Sequence, residues 1–271
     1  MKKFVIFFVI CFLFLPSTLI TFAQDSKLEC SYSDKLKLKI QQAKEFKKNK
    51  VLEKLDDKIS KYYQQNKNKI LALSDIRDFN TKKTQNIIKA IGNDIINCNL
   101  RENNGFNFDM NIGIGEPTGS NNIDYTYFMD GDIILVHDGF CPYGYYRHGG
   151  IFVEEEDKFI SAQIGEGVIW ESKSKYHGYD EAIGLYVDYK IDLPDQRKYA
   201  TDAIVDYLKQ QLGKPYKLSG KNDESSWYCT KLPWKGWNKI TNVDIDGDSG
   251  IFCFPDNIYS DTDTVIFEFA N

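Results

Sequence analysis

Tyr146-Arg147-His148-Gly149-Gly150-Ile151-Phe152-Val153 is the stretch on which the reading of this chain turns. A histidine opens an apolar strand, and two glycines behind it let other backbone come close. Upstream, Asp132-Ile133-Ile134-Leu135-Val136 has the continuous apolar character of a buried strand. Downstream, the acidic turn Glu154-Glu155-Glu156-Asp157 leads into a third strand over 159–164. Further strands are expected over 184–189 and 265–269, with helices over 199–212 and 229–238. Strands dominate and helices intervene, so the body reads as α+β, an antiparallel sheet packed on helices. No internal repeat is present.

A second stretch carries complementary chemistry. Gly213-Lys214-Pro215-Tyr216 is followed by Trp227-Tyr228-Cys229-Thr230-Lys231-Leu232, then Trp234 and Trp237. Here a cysteine stands where a loop enters a helix. Helix N-termini present free N–H groups and positive potential, which favour a thiolate. An adjacent imidazole would complete a Cys–His nucleophile pair, and the same N–H groups would hold an oxyanion. Taken singly, a histidine on a strand and a cysteine on a helix are usually structural.

Taken together, these segments resemble the NlpC-type branch of the papain-like cysteine hydrolases. That family pairs a Gly-x-Pro-Tyr turn with a Cys-Ser-x-Leu helix start and a strand opening His-x-Gly-Ile. The counterparts are Gly213-Lys214-Pro215-Tyr216, Cys229-Thr230-Lys231-Leu232 and His148-Gly149-Gly150-Ile151. His148 precedes Cys229, as in the circularly permuted YiiX-like subgroup. Gly131-Asp132-Ile133-Ile134 is similar to that subgroup's opening strand, and Phe254-Pro255-Asp256-Asn257 to its terminal segment. The resemblance spans roughly residues 128–269. It implies a permuted papain-like fold, Cys229 as nucleophile, His148 as base, Tyr216 lining the substrate site, and no cofactor or metal. The subgroup's usual Glu is missing from the next strand, where Ser161 stands in its place. Gln163, two residues on, points to the same face. An amide oxygen can orient an imidazole, so Gln163 is the expected third member and Ser161 the alternative. Glu154 and Glu171 remain as carboxylates, with solvent exposure the expected fate of both.

The rest of the chain sets the context. Lys2-Lys3, the apolar run from Phe4 to Leu15, and Thr21-Phe22-Ala23 have the layout of a secretory signal peptide over 1–23. No other run is long enough to span a membrane, so the processed protein is expected to be secreted or periplasmic, with no stable transmembrane segment. Residues 24–105 read as a Lys-rich helical hairpin arm. Leu52, Leu55, Ile59 and Tyr62 form one apolar stripe, and Ile88, Ile91, Ile95 and Cys98 another. The turn is expected at 64–68, with a third helix if Lys47-Lys48-Asn49-Lys50 is a break. The Asn- and Gly-rich stretch 106–127 reads as a linker, and the hydrolase domain as 128–271.

Cysteine and charge counts narrow the function. Besides Cys11 of the leader there are Cys30, Cys98, Cys141, Cys229 and Cys253, an odd number for an oxidising compartment. Either all are loose thiols or two disulfides leave one reactive thiol. A Cys30–Cys98 bridge would close the arm if 30–35 fold back, and Cys141 with Cys253 would leave Cys229 free. No CxxC spacing supports zinc. Three histidines strain any mechanism needing several His ligands. A net charge of −5 argues against nucleic-acid binding. Asp244-Ile245-Asp246-Gly247-Asp248 begins like a calcium loop, but Ser249 and Pro255 stand where Gly and Glu belong, so it reads as an acidic turn. Trp227, Trp234 and Trp237 read as helix-face core.

The resulting expectation is a secreted cysteine hydrolase that cleaves an amide or ester through an acyl-enzyme. Its substrate would be a peptide, an N-acyl amino acid or a lipid ester, with the cell wall as one source. The rivals are a non-catalytic wall-binding adaptor acting through the arm, and an acyltransferase on the same Cys–His pair. The oligomeric state is left open.

Overall fold

The computed structural model describes residues 31–67, 70, 117–141, 143–189, 193–248 and 250–271. The signal peptide, the Cys30–Cys98 bridge, the second helical stripe over 88–98 and the first half of the linker lie outside them. Among the described residues no helix is long and apolar enough to cross a membrane.

The chain enters through α1 (Tyr32–Lys48), whose N-cap Ser31 accepts a hydrogen bond from the Asp34 backbone at 3.2 Å. It breaks at Asn49 and Lys50, the latter left-handed at φ 57°. The break thus falls at the Lys47–Lys50 position, and α2 (Val51–Asn66) begins there. Leu55 and Ile59 of the expected apolar stripe are buried in the main core beside Leu135, Ile151 and Leu185. Lys39 of α1 is buried against Asp132, and Gln42 bonds Glu268. These helices therefore belong to the same compact unit as the sheet, residues 31–271, and do not form a free-standing arm. The second half of the expected linker is also built in: Ile123 is buried, and Asn121 donates to the carbonyls of Tyr176 and Tyr179.

Six antiparallel strands make one sheet: β1 (Ile133–His137), β2 (His148–Val153), β3 (Lys158–Gln163), β4 (Gly167–Ser172), β5 (Glu181–Val187) and β6 (Thr264–Ala270). Their order is β4-β3-β2-β1-β5-β6. A single helical turn, α3 (Lys173–Tyr176), follows β4. Then come α4 (Pro194–Lys209), α5 (Lys231–Thr241) and the short α6 (Pro255–Ser260). The sheet is buried on both faces. One face meets α2, α4 and α5 through Leu135, Ile151, Ile183, Ile204, Leu208 and Trp237. The other holds an aromatic cluster of Phe128, Phe152, Phe159, Tyr176 and Phe267. Double-sided burial explains the near-continuous apolar runs of β1 and β5. Trp227, Trp234 and Trp237 are all in the core. The architecture is α+β, as expected, with a strand the sequence reading did not anticipate, β4.

Candidate active site

The site is assembled where β2 begins. His148 is the first residue of that strand, pairs with Val136 of β1 and is only 6% exposed. Gly149 follows because there is no room for a side chain: a Cβ there would press on the Ile134 carbonyl and Leu135 and meet Thr230 at 3.4 Å. Thr230 is the residue after Cys229 and caps α5. The glycine is thus what lets the cysteine-bearing segment close on the strand that carries the histidine. Thr230 is fixed in turn by donating to the Cys253 carbonyl at 2.7 Å.

The hairpin from β3 to β4 supplies the histidine's other partner. His148 Nε2 donates to Glu171 Oε2 at 2.8 Å. Ser161 Oγ lies 3.3 Å from the same nitrogen and itself donates to the Gly149 carbonyl at 2.7 Å. Glu171 is 2% exposed and also accepts from Lys175 Nζ and Tyr176 Oη, both at 2.6 Å. Gly150 makes the last of these contacts feasible, since the Tyr176 hydroxyl occupies the space a Cβ would take. Burial would raise the Glu171 carboxyl, but His148 and Lys175 hold it down to about 2. Burial would lower the imidazole, but Glu171 and then neighbouring Cys229 hold it up to about 9. With Nε2 taken by the carboxylate, Nδ1 is the nitrogen left to exchange a proton with the thiol.

Cys229 is 7% exposed and immediately precedes the N-cap of α5. Two tyrosines flank it. Burial, then charge on Cys229 and Cys141, raises the phenol of half-buried Tyr216. Burial, then the same two thiols, raises Tyr143. Tyr143 donates to the Arg147 carbonyl at 2.7 Å and stacks on Phe254 at 5.3 Å.

The structure brings Cys229, His148 and Tyr216 together. It does not use Gln163 as the orienting group. That residue ends β3 opposite Gly167, and Glu171 holds the ring instead, because β4 returns a buried carboxylate beside Ser161. Nor is Glu171 solvent-exposed as expected. The turn Gly165-Glu166-Gly167 followed by Val168-Ile169-Trp170 is the sequence signal for β4. Of the two readings of the cysteines, the described residues show free thiols: Cys141, Cys229 and Cys253 are all unpaired and buried, and no Cys141–Cys253 disulfide forms. The Cys141 thiol is directed to the Tyr146 carbonyl at 3.8 Å, while the backbone amides of Cys141 and Cys253 donate to the Tyr62 and Tyr228 hydroxyls. Among the described residues no three His, Cys, Asp or Glu groups converge to hold a metal ion.

No protein-family model matches the chain, and no curated protein matches it. Among solved structures, the metalloprotein yiiX from Escherichia coli O157:H7 (DUF1105) is similar at 14% identity and a TM-score of 0.41. The alignment covers 51% of this chain and 96% of that one.

Proposed function

We propose that the protein is a cysteine hydrolase of permuted papain-like, NlpC-type design, acting outside the cytoplasm on an amide or ester. One observation carries this reading: buried Cys229 lies near enough to His148 to raise its pKa, and that imidazole is held through Nε2 by a buried carboxylate. In the proposed cycle the Cys229 proton passes to His148 Nδ1, and Sγ attacks the substrate carbonyl. Glu171 stabilises the imidazolium formed. His148 then gives the proton to the leaving amine or alcohol, and the acyl group stays on sulfur as a thioester. A water deprotonated by His148 releases the acid and restores the thiol. Tyr216 and Tyr143 would border the acyl group.

The adaptor reading rested on a missing carboxylate and a separate arm. Glu171 fills the first gap, and α1 and α2 pack into the core. The acyltransferase reading keeps one argument, the near-complete burial of Cys229 and His148, which limits access of water. Trapping decides among the three. Incubation with p-nitrophenyl acetate should add one acetyl group to Cys229, seen by intact mass and peptide mapping. The adduct should be lost in Cys229→Ala and form slowly in His148→Ala. Acetyl transfer to water marks a hydrolase, and transfer to an added alcohol or amine an acyltransferase. No acylation of Cys229, or equal acylation of Cys141 and Cys253, would overturn the reading.

A further inference from the structure

Lys231 lies two residues beyond Cys229, and its side chain is completely buried. Other buried lysines are paired with carboxylates, Lys39 with Asp132 and Lys221 with Asp246. Lys231 instead donates to two neutral acceptors, Ser219 Oγ and the Ser226 carbonyl, both at 2.9 Å. A buried ammonium without an adjacent counter-charge is costly. Burial accordingly pushes its pKa down to about 8, with Asp223 pulling the other way.

Ser219 relays this charge outward. Its oxygen accepts from Lys231 and, at 3.0 Å, from the Ser226 hydroxyl. A hydroxyl has two lone pairs and one proton, so the proton of Ser219 must point in the remaining direction. Ser219 lines a cavity of about 600 Å³ together with Lys217, Lys221, Asn222 and Asp223. On that side the Asp223 carboxylate stands on an exposed turn, accepting from the Ser225 backbone at 2.9 Å, and lines the cavity with Ser219. The cavity-lining segment is tied to the stretch that leads into Cys229: Tyr216 bridges to Trp227, and the Lys217 backbone donates to the Trp227 carbonyl at 2.9 Å.

We propose that this cavity is a carboxylate subsite, in which the Ser219 hydroxyl, backed by Lys231 and flanked by Lys217, receives a carboxylate of the acyl substrate. Asp223, on the same cavity wall, opposes the incoming carboxylate by its charge. The substrate class is then a peptide or N-acyl amino acid with a free carboxylate near the scissile bond. That assignment rests on the hydrolase reading; the affinity of the cavity for carboxylates does not.

The test is calorimetric titration of the full chain carrying Cys229→Ala with N-acetylglycylglycine and with its C-terminal amide. The acid should bind about tenfold more tightly than the amide, as expected for a charge-assisted contact. Asp223→Asn keeps the turn acceptor for Ser225 and removes the competing charge. It should tighten the acid by about two- to fivefold and leave the amide unchanged. Ser219→Ala should bring the acid to the level of the amide, and Lys231→Met should do the same if that variant folds. Equal binding of acid and amide, no binding of the acid at millimolar concentration, or no effect of Asp223→Asn would overturn the proposal. Acid binding with an unreactive Cys229 in the unsubstituted chain would sink the hydrolase reading alone. A reactive Cys229 without acid binding would sink the subsite alone.

Discussion

Replacing Glu171 with Gln keeps the shape of the side chain and removes its charge. The carboxylate takes bonds from His148 at 2.8 Å and from Lys175 and Tyr176 at 2.6 Å, all in a buried setting. Burial works against a charged imidazole at this position, and Glu171 is the first group opposing it, ahead of Cys229. Without that charge the His148 pKa should fall from about 9 to the ordinary value of 6.5 or lower. At 1.36 kcal/mol per unit the drop is about 3 kcal/mol, in line with the ~3–5 kcal/mol for removing one partner of a buried pair. The assay is an NMR titration of the labelled imidazole rings. His137, pushed down to about 4 by burial, provides an internal contrast. A His148 midpoint that stays near 9 in Glu171→Gln would refute the reasoning. So would a midpoint that moves in Gln163→Ala and not in Glu171→Gln.

Other consequences follow from the same contacts. The raised His148 pKa contributes stability that is full below about 6.5 and lost as pH rises through about 9; the lowered Glu171 pKa contributes above about 4.5 and is lost as pH falls through about 2. Urea midpoints of wild type minus those of a His148→Ala/Glu171→Gln double variant should therefore be largest between about pH 4.5 and 6.5, and a flat difference would contradict the pair. Gly150→Ala places a methyl on the Tyr176 hydroxyl and should destabilise by about 1–3 kcal/mol. Combining it with Tyr176→Phe should recover part of that loss, whereas simple additivity would point to another clash. Leu55→Ala, at a site 2% exposed, should cost about 2–5 kcal/mol in a single cooperative unfolding transition. A cost near zero would mean that α2 is a peripheral arm after all.

The sheet was legible because its strands announce themselves as apolar runs. The runs at 132–136 and 149–153 lie within a residue or so of β1 and β2. The helices lie at 194–209 and 231–241, a few residues from the expected ranges; the first starts at Pro194, and the second starts where the Thr230 hydroxyl is tied to the Cys253 carbonyl. His148 and Cys229 were legible as a pair of chemical types, and Tyr216 through its turn. Glu171 was not, because its role is created by a strand pairing. Alternation alone puts Gln163 on the correct face, but only the return of β4 brings a carboxylate under the imidazole. The packing of α1 was hard to read for a related reason. A Lys-rich helix reads as solvated, yet Lys39 is buried because Asp132 waits just before β1, a partner 93 residues away.

The most direct measurement is the rate at which iodoacetamide alkylates each cysteine of the folded protein across pH, with labelled sites located by mass spectrometry. The account predicts that Cys229 is labelled at pH 6, where unassisted thiols with pKa values of about 8.5 are nearly inert. It further predicts that His148→Ala removes this low-pH reactivity while Gln163→Ala leaves it intact. A Cys229 that reacts only as an unassisted thiol does, or whose profile is indifferent to His148, would contradict the Cys–His–Glu site.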